Sequence, residues 1–382
     1  MGKILIGADF VPTQSNELLF GSGNLEELFG KELLSILSDA ECRIFNLEMP
    51  LTARDSPLEK CGPALRGKPE TVKTYHNLHV DLLTLANNHI MDQGEEGLND
   101  TIKVLTEHGI HYVGAGKDLT QAQEPYIIHC NNGKKIGVYA CTEHEFSVAE
   151  ANKPGANPFD SYESFDHVNH LEDCCDYVIV LYHGGKEFYR YPSPLLQKTC
   201  RKFIEKGANL VITQHSHCVG SQETYQGGCI VYGQGNFLFD GGKTEFWRTG
   251  ILISLDTDSF SCEWVPVVKN DSTVRLANAT QKKEILDDLL RRSEEIKSPG
   301  FVDQNYRVFA AEKIEDYLTS LYGIGEKNLV FRFLNKLTSH KYQSFVLRKR
   351  YEKKECLALE NYIVCEAHNE LLIEGIKQFR EK

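Results

Sequence analysis

The chain has no Cys-x-x-Cys pair, although it holds 12 cysteines in 382 residues. That absence argues against a zinc ribbon or a thioredoxin-type site. Many of the cysteines stand singly in apolar runs such as VYACT and GGCIVYG, where the side chain serves as a small core residue. Unpaired thiols in this number fit a cytoplasmic chain. No window reaches about 18 uninterrupted apolar residues, so no membrane-spanning helix is expected. The opening MGKILIGADF is too short an apolar run for a signal peptide. Positive charge is in deficit, with 42 Lys and Arg against 54 Asp and Glu and a net charge of −12. Nucleic acid is therefore not a favoured partner. No internal repeat is present.

What remains is a chain of ordinary globular composition, 41% hydrophobic and 25% charged. It has room for one large α/β domain and a smaller second one, or for two to three modest domains. Short β-prone runs stand at 3–7, 43–47, 80–86, 110–113, 178–182 and 210–213, with later alternating runs at 249–255 and 263–268. Helical spacing appears between them, at 26–38, 71–78, 97–108, 165–171 and 194–206. Runs 127–130 and 135–141 form a hairpin around Asn132-Gly133. Residues 53–70 and 143–163 read as loops, the second close to the site. From about residue 280 the apolar period becomes purely helical, which divides the chain into an α/β domain over 1–275 and a helical region over 276–382. The basic run at Arg348, Lys349, Arg350, Lys353 and Lys354 reads as a solvated helix face, with an anion-contacting patch as the alternative.

The polar residues of interest stand where the apolar runs stop. They are Asp9, then Asn46 with Glu48, then Asn88 with His89, then His183, then His215 with His217. Open α/β sheets place ligand sites at such strand exits. Residues two apart in an extended segment point the same way, so His215 and His217 are expected to present two imidazoles to one point. Each residue has an ordinary alternative when read alone: Asp9 as a helix cap, Glu48 as a solvated carboxylate before Pro50, the histidines as surface groups. Five such exits in one chain favour a shared metal site.

The order Asp, carboxylate, Asn-His, His, His-x-His resembles the calcineurin-like metallophosphoesterases. The surrounding strings resemble one branch of them, the CapA or poly-gamma-glutamate capsule synthesis family. They are GADF at 7–10, FNLEMPLT at 45–52, RGKPE at 66–70, LANNHIMDQGEEGLNDT at 85–101, GIHYVGAG at 109–116, HGGKEF at 183–188, GANLVITQHSHCVG at 207–220 and YGQGNFLFD at 232–240. The resemblance covers roughly residues 3–255 and leaves out the helical region.

The resemblance implies a metallophosphatase-like four-layer α/β/β/α sandwich with an additional helical C-terminal region. It implies one or two divalent ions, Mn, Zn or Fe. Asp9, Glu48 and His217 would hold one; Glu48, Asn88, His183 and His215 would hold the other, with Glu48 bridging. Such ions activate water and clamp an oxyanion. His89 would give a proton to the leaving group with Asp92 orienting it, and a structural His89 is the alternative.

The chain also departs from the pattern. Val11 stands where the phosphatases carry the His of Asp-x-His. Glu48 replaces the bridging Asp, and Asn-Leu replaces the Gly-Asp before it. The family's His-Trp-Gly word reads His183-Gly184-Gly185, which is expected to open the substrate pocket. The function implied first is hydrolysis of a phosphoester, or of an amide in an anionic polymer or peptide. Two alternatives stand beside it. One is a non-catalytic role in capsule assembly. The other is epimerisation at a peptide α-carbon, with His89, Glu187 or activated water moving the proton.

Overall fold

The computed structural model describes residues 2–239, 242, 244–270, 272–323 and 328–380. Asp240, the last residue of the YGQGNFLFD string, lies outside them. The chain divides into two compact units, Met1–Asp303 and Gln304–Lys382.

The first unit is built on two sheets. The seven-stranded sheet runs, in spatial order, Thr273–Leu276, Cys262–Asn270, Thr249–Asp256, Lys3–Asp9, Cys42–Asn46, Leu82–Thr84, His111–Val113. Its last four strands are parallel and the others antiparallel. The six-stranded sheet runs Val219–Tyr225, Gly228–Gln234, Leu210–Gln214, Tyr177–His183, Lys135–Thr142, Tyr126–His129. Its four central strands are parallel.

Strand alternation sorts the side chains into layers. Ile4, Ile6, Ile44 and Leu82 of one sheet meet Val138, Ile179, Leu181 and Ile212 of the other. The intervening Leu5, Phe45 and Leu83 face Phe29, Leu33, Tyr75 and Leu98 of the helices Leu25–Ser38, Val72–Asn77 and Gly94–Glu107. On the far side Tyr139, Val178, Val180 and Val211 face Val168, Leu171, Cys200 and Phe203 of the helices Ser164–Glu172 and Pro194–Glu205. Both faces of each sheet are covered, which is why the parallel strands read as unbroken apolar runs. The result is the expected four-layer α/β/β/α sandwich.

Two amides staple the sheets beside the strand exits. Gln214 Nε2 donates to Gly7 O, and Gln234 Nε2 donates to Ile6 O and Ile251 O.

Phe10, directly after Asp9, is wholly buried and touches the rings of Phe20, Phe29, Phe45, Tyr75 and Phe237 at centroid distances of 4.7–5.8 Å. Tyr75 Oη donates to Phe10 O at 2.6 Å. Val11 is buried in the same cluster.

The units divide later in the chain than the change in periodicity at residue 275 suggests. The helix Ala279–Glu295 starts on a capping box of Asn278 and Gln281. It buries Leu289 against the intersheet core. Arg292 Nε reaches Gly220 O, and Ser293 Oγ accepts from Gln222 N. It is helical by pattern, yet it belongs to the α/β unit. The second unit is helical, with Leu329–Leu337, Lys341–Arg350, Lys353–Val364 and Glu366–Arg380. Its buried polar knot joins Asn335, Gln343 and Thr319.

Phe10→Ala is expected to destabilise by about 3–5 kcal/mol, as deletion of a wholly buried aromatic ring does. In a thermal melt, Leu18→Ala at a side chain 86% exposed should match the wild type within about 0.5 kcal/mol. Equal melting temperatures for the two variants would refute the assigned core.

Candidate metal centre

The parallel strands of both sheets deliver their C-terminal ends to one edge. Asp9 closes Lys3–Asp9, Asn46 closes Cys42–Asn46 with Glu48 two residues on, and His183 closes Tyr177–His183. Asn87, Asn88 and His89 follow Leu82–Thr84. His215 and His217 follow Leu210–Gln214.

The two late histidines do not lie on an extended segment. The strand ends at Gln214, and both residues adopt left-handed backbone, with φ of 80° and 53°. Such conformations are strained for a residue with a Cβ and collect at functional sites. The bend sends the imidazoles to different places, so the expectation of one shared point is corrected. Ligand atoms of Asp9, Glu48 and His217 lie within 4.8 Å of one another, and so do those of Glu48, His183 and His215. Glu48 is common to both groups.

Within the second group His183 Nε2 stands 3.2 Å from Glu48 Oε1 and 3.0 Å from Asn88 Oδ1. Within the first, His217 Nδ1 stands 3.4 Å from Asp9 Oδ2 and 2.9 Å from Asn236 Oδ1. Amides hold these groups from behind. Asn46 Nδ2 donates to Asp9 Oδ1 at 2.7 Å, and Asn87 Nδ2 donates to Asn46 Oδ1 and Leu47 O. Asn46 is therefore a support for Asp9. Asn88 Nδ2 donates to Glu145 Oε2 at 2.8 Å, which leaves its Oδ1 aimed at His183.

The residues fit a divalent cation. Glu48 is 0% exposed, and neither carboxylate oxygen has a hydrogen-bond partner. His215 Nδ1 is likewise buried and unpartnered. A buried carboxylate in this state is costly by several kcal/mol unless a cation meets it. Mixed imidazole, carboxylate and amide donors suit Zn, Mn or Fe.

The electrostatics agree. Burial, the largest influence, pushes the Asp9 carboxyl up. The His217 hydrogen bond, the His217 and His183 charges and the Asn46 amide together hold it below its ordinary value. Burial pushes His217 down, but Asp9, Glu48 and Asn236 bring it up to about 9. Burial, then the charges of His183, His217, His89 and Lys186, hold His215 well below the usual range. His215 is thus a neutral donor, while His217 holds a proton that a cation would displace.

His89 Nδ1 lies 2.6 Å from Asp92 Oδ2, and Asp92 is wholly buried. Glu187 is exposed and belongs to neither ligand group. Gly184 does not open the pocket: a Cβ built there meets Glu143 Cγ at 2.8 Å and Glu143 Cδ at 3.0 Å. The Glu143 side chain fills that space, and its carboxyl is raised by burial despite Lys186 and the Gly185 N–H.

Three further features escaped sequence reasoning. Asn236 supports His217 from within the GQGNF string. Trp247 stacks on the His217 ring at 4.7 Å and 22°, with Phe239 edge-on at 5.6 Å. Lys60 reaches Asp92 from the 53–70 loop. Only the asparagine carried a signal, as an amide inside a motif string.

The sequence model of the family described as Bacterial capsule synthesis protein PGA_cap matches residues 5–241. The chain belongs to this family. It is 33% identical over 187 residues to Capsule biosynthesis protein CapA of Bacillus anthracis, covering 47% of this chain and 45% of that protein. It is 30% identical over 182 residues to PGA biosynthesis protein CapA of Bacillus subtilis, covering 47% and 48%. A Probable polyglutamine synthesis accessory protein of Mycobacterium tuberculosis is 27% identical over 233 residues, covering 56% and 61%. The chain spans about half the length of the first two relatives. Among solved structures, TT1561 of Thermus thermophilus aligns at TM-score 0.38 and 12% identity, over 69% of this chain and 97% of that one. A 5'-nucleotidase from Candida albicans aligns at 0.39 and 10%, over 81% and 57%. No helix among the described residues is long and apolar enough to cross a membrane.

Metal analysis should separate the two ligand groups. His215→Ala and His217→Ala should each lower the bound metal by one equivalent, and Glu48→Gln should lower both. Equal retention in Glu48→Gln and wild type would remove Glu48 from the shared position. The metal-free protein should also show a pH signature. His217 sits above its unfolded value of about 6.5, so the stability it contributes is complete below that pH and is lost as pH rises through about 9. Melts of chelated protein between pH 7 and 10 should show this loss, and His217→Ala should flatten it.

Proposed function

We propose that the chain is a metal-dependent hydrolase with two ion positions sharing Glu48, acting on a phosphoester or on an amide of an anionic polymer or peptide. The observation that carries this reading is the buried Glu48 carboxylate, without a hydrogen-bond partner and common to two ligand groups. Asp9 and His217 would complete one position, and Asn88, His183 and His215 the other. Ions held there would supply an activated water and a clamp for developing oxyanion charge.

The chain's own groups do the rest. Asp92 orients the His89 ring through Nδ1, which leaves Nε2 to exchange a proton with the substrate. Trp247 and Phe239 cover the His217 ring and limit water on that side. Lys269 lies over the Trp247 ring at 5.6 Å, and Arg190 over Phe246 at 4.6 Å. Phe188 joins these rings to His217. Arg190 is paired with Glu245 and Lys269 with Phe239 O, so the anionic substrate is proposed from the relatives described by capsule and PGA biosynthesis.

The test is turnover by protein loaded with Mn, Zn or Fe, on a phosphodiester and on a γ-linked oligoglutamate. His89→Gln should retain its metal and lower kcat by roughly 10²–10⁴-fold. Loaded wild type no faster than His89→Gln on every substrate would defeat the hydrolase reading and leave an assembly role.

A further inference from the structure

Residues 52–66 contain no helix or strand, yet they are tied down at one place. Leu58 N donates to Asp92 O at 2.8 Å, and Leu65 N to Asp92 Oδ2 at 2.6 Å. Ser56 N and Oγ bond Gln93 Oε1 and O, and Gln93 Nε2 returns to Leu65 O. Between exposed Glu59 and Cys61, the Lys60 side chain turns inward until it is 2% exposed. Its ammonium pairs with Asp92 Oδ1, stands 3.2 Å from His89 Nδ1 and lies over the Phe146 ring at 5.0 Å.

We propose that Lys60 is a positioning residue for His89, acting through Asp92; the catalytic use of that positioning rests on the hydrolase reading above. At 2.6 Å, His89 Nδ1 and Asp92 Oδ2 would repel if both offered lone pairs, so a proton lies between them. While Asp92 is a carboxylate, that proton belongs to Nδ1, and Nε2 is the nitrogen left to exchange a proton with substrate. The Lys60 ammonium pairs with the other oxygen of the same carboxyl group and holds it against the ring by Coulomb attraction in a site closed to water. A buried ion pair adds little to stability compared with apolar side chains of the same volume. Its value here lies in which atom it faces: the carboxylate that orients the histidine next to Asn88. The loop thus supplies, from outside the sheets, the charge that keeps His89 in its working orientation.

The experiment uses full-length, metal-loaded protein labelled with ¹⁵N-histidine. Wild type should show His89 protonated at Nδ1. Lys60→Met should lose or mix that signal at unchanged metal content, and Asp92→Asn supplies a reference ring without the carboxylate acceptor. Lys60→Ala should regain the wild-type signal on adding n-propylammonium, which refills the charge without the chain link. Turnover should follow: kcat should fall roughly 10- to 100-fold in Lys60→Met with little change in KM, and recover with the amine in Lys60→Ala. Wild-type nitrogen shifts in folded Lys60→Met would overturn the proposal. So would a Lys60→Ala signal that the amine does not move. Absence of turnover in loaded wild type would count against the hydrolase reading alone, because the nitrogen shifts are read independently of activity.

Discussion

A carboxylate with no hydrogen-bond donor, sealed from water, is the constraint around which the first unit is arranged. Glu48 lies just past a central parallel strand, where both sheets end and where the Gln214 and Gln234 amides lock one sheet to the other. Its surroundings compensate with cationic and dipolar groups instead of water. His217 is raised by Asp9 and Glu48, while His215 is forced neutral. Neutralising both histidines alike would leave the carboxylates uncompensated, and charging both would crowd the second group with positive charge. The asymmetry suits a centre in which one imidazole is ready to bind and the other must exchange a proton for a cation.

Holding such a centre requires stiffness next to it. The left-handed backbone at His215 and His217 is unfavourable by itself and persists only because flanking packing leaves no alternative. Phe10 and Phe237 belong to one aromatic cluster beneath the centre, directly beside Asp9 and Asn236 in sequence. Tyr75 fixes the Phe10 carbonyl, so Asp9 is anchored through its neighbour's backbone as well as its own strand. The Phe10 cluster thus acts on the candidate site through main chain.

The strand exits were legible because each parallel strand is buried on both faces and ends abruptly in a polar residue. Asp9, Glu48, Asn88, His183, His215 and His217 could be listed from that pattern and the family strings together. The backbone conformation that carries the last two was not legible. A period of two assumes extended backbone, and nothing in QHSHC announces positive φ. Asn46 looked like a candidate donor because its support of Asp9 depends on which way an amide turns. Gly184 promised space, but Glu143, 41 positions earlier, fills it across the neighbouring strand. Periodicity alone also put the helix Ala279–Glu295 with the later helices, since it cannot show that Leu289 and Arg292 dock on a sheet.

Lys60 was missed for a different reason, and that reason separates two parts of the site. The candidate ligands sit at or just beyond the ends of strands, so their positions are set by the sheets. His89 sits just beyond a strand too, but the charge behind its partner Asp92 comes from an irregular loop whose own ties are to Asp92 and Gln93. Composition marks such a loop as variable surface, and only the folded chain reveals one inward lysine. The arrangement lets the orientation of the candidate proton donor be altered by changes in residues 53–68 without moving Asp9, Glu48 or the late histidines. Two chains with the same ligand set could therefore differ in leaving-group chemistry because of this loop alone. The strand-end motif is then evidence for what the protein binds, and the loop is where evidence for what it does with that ligand should be sought.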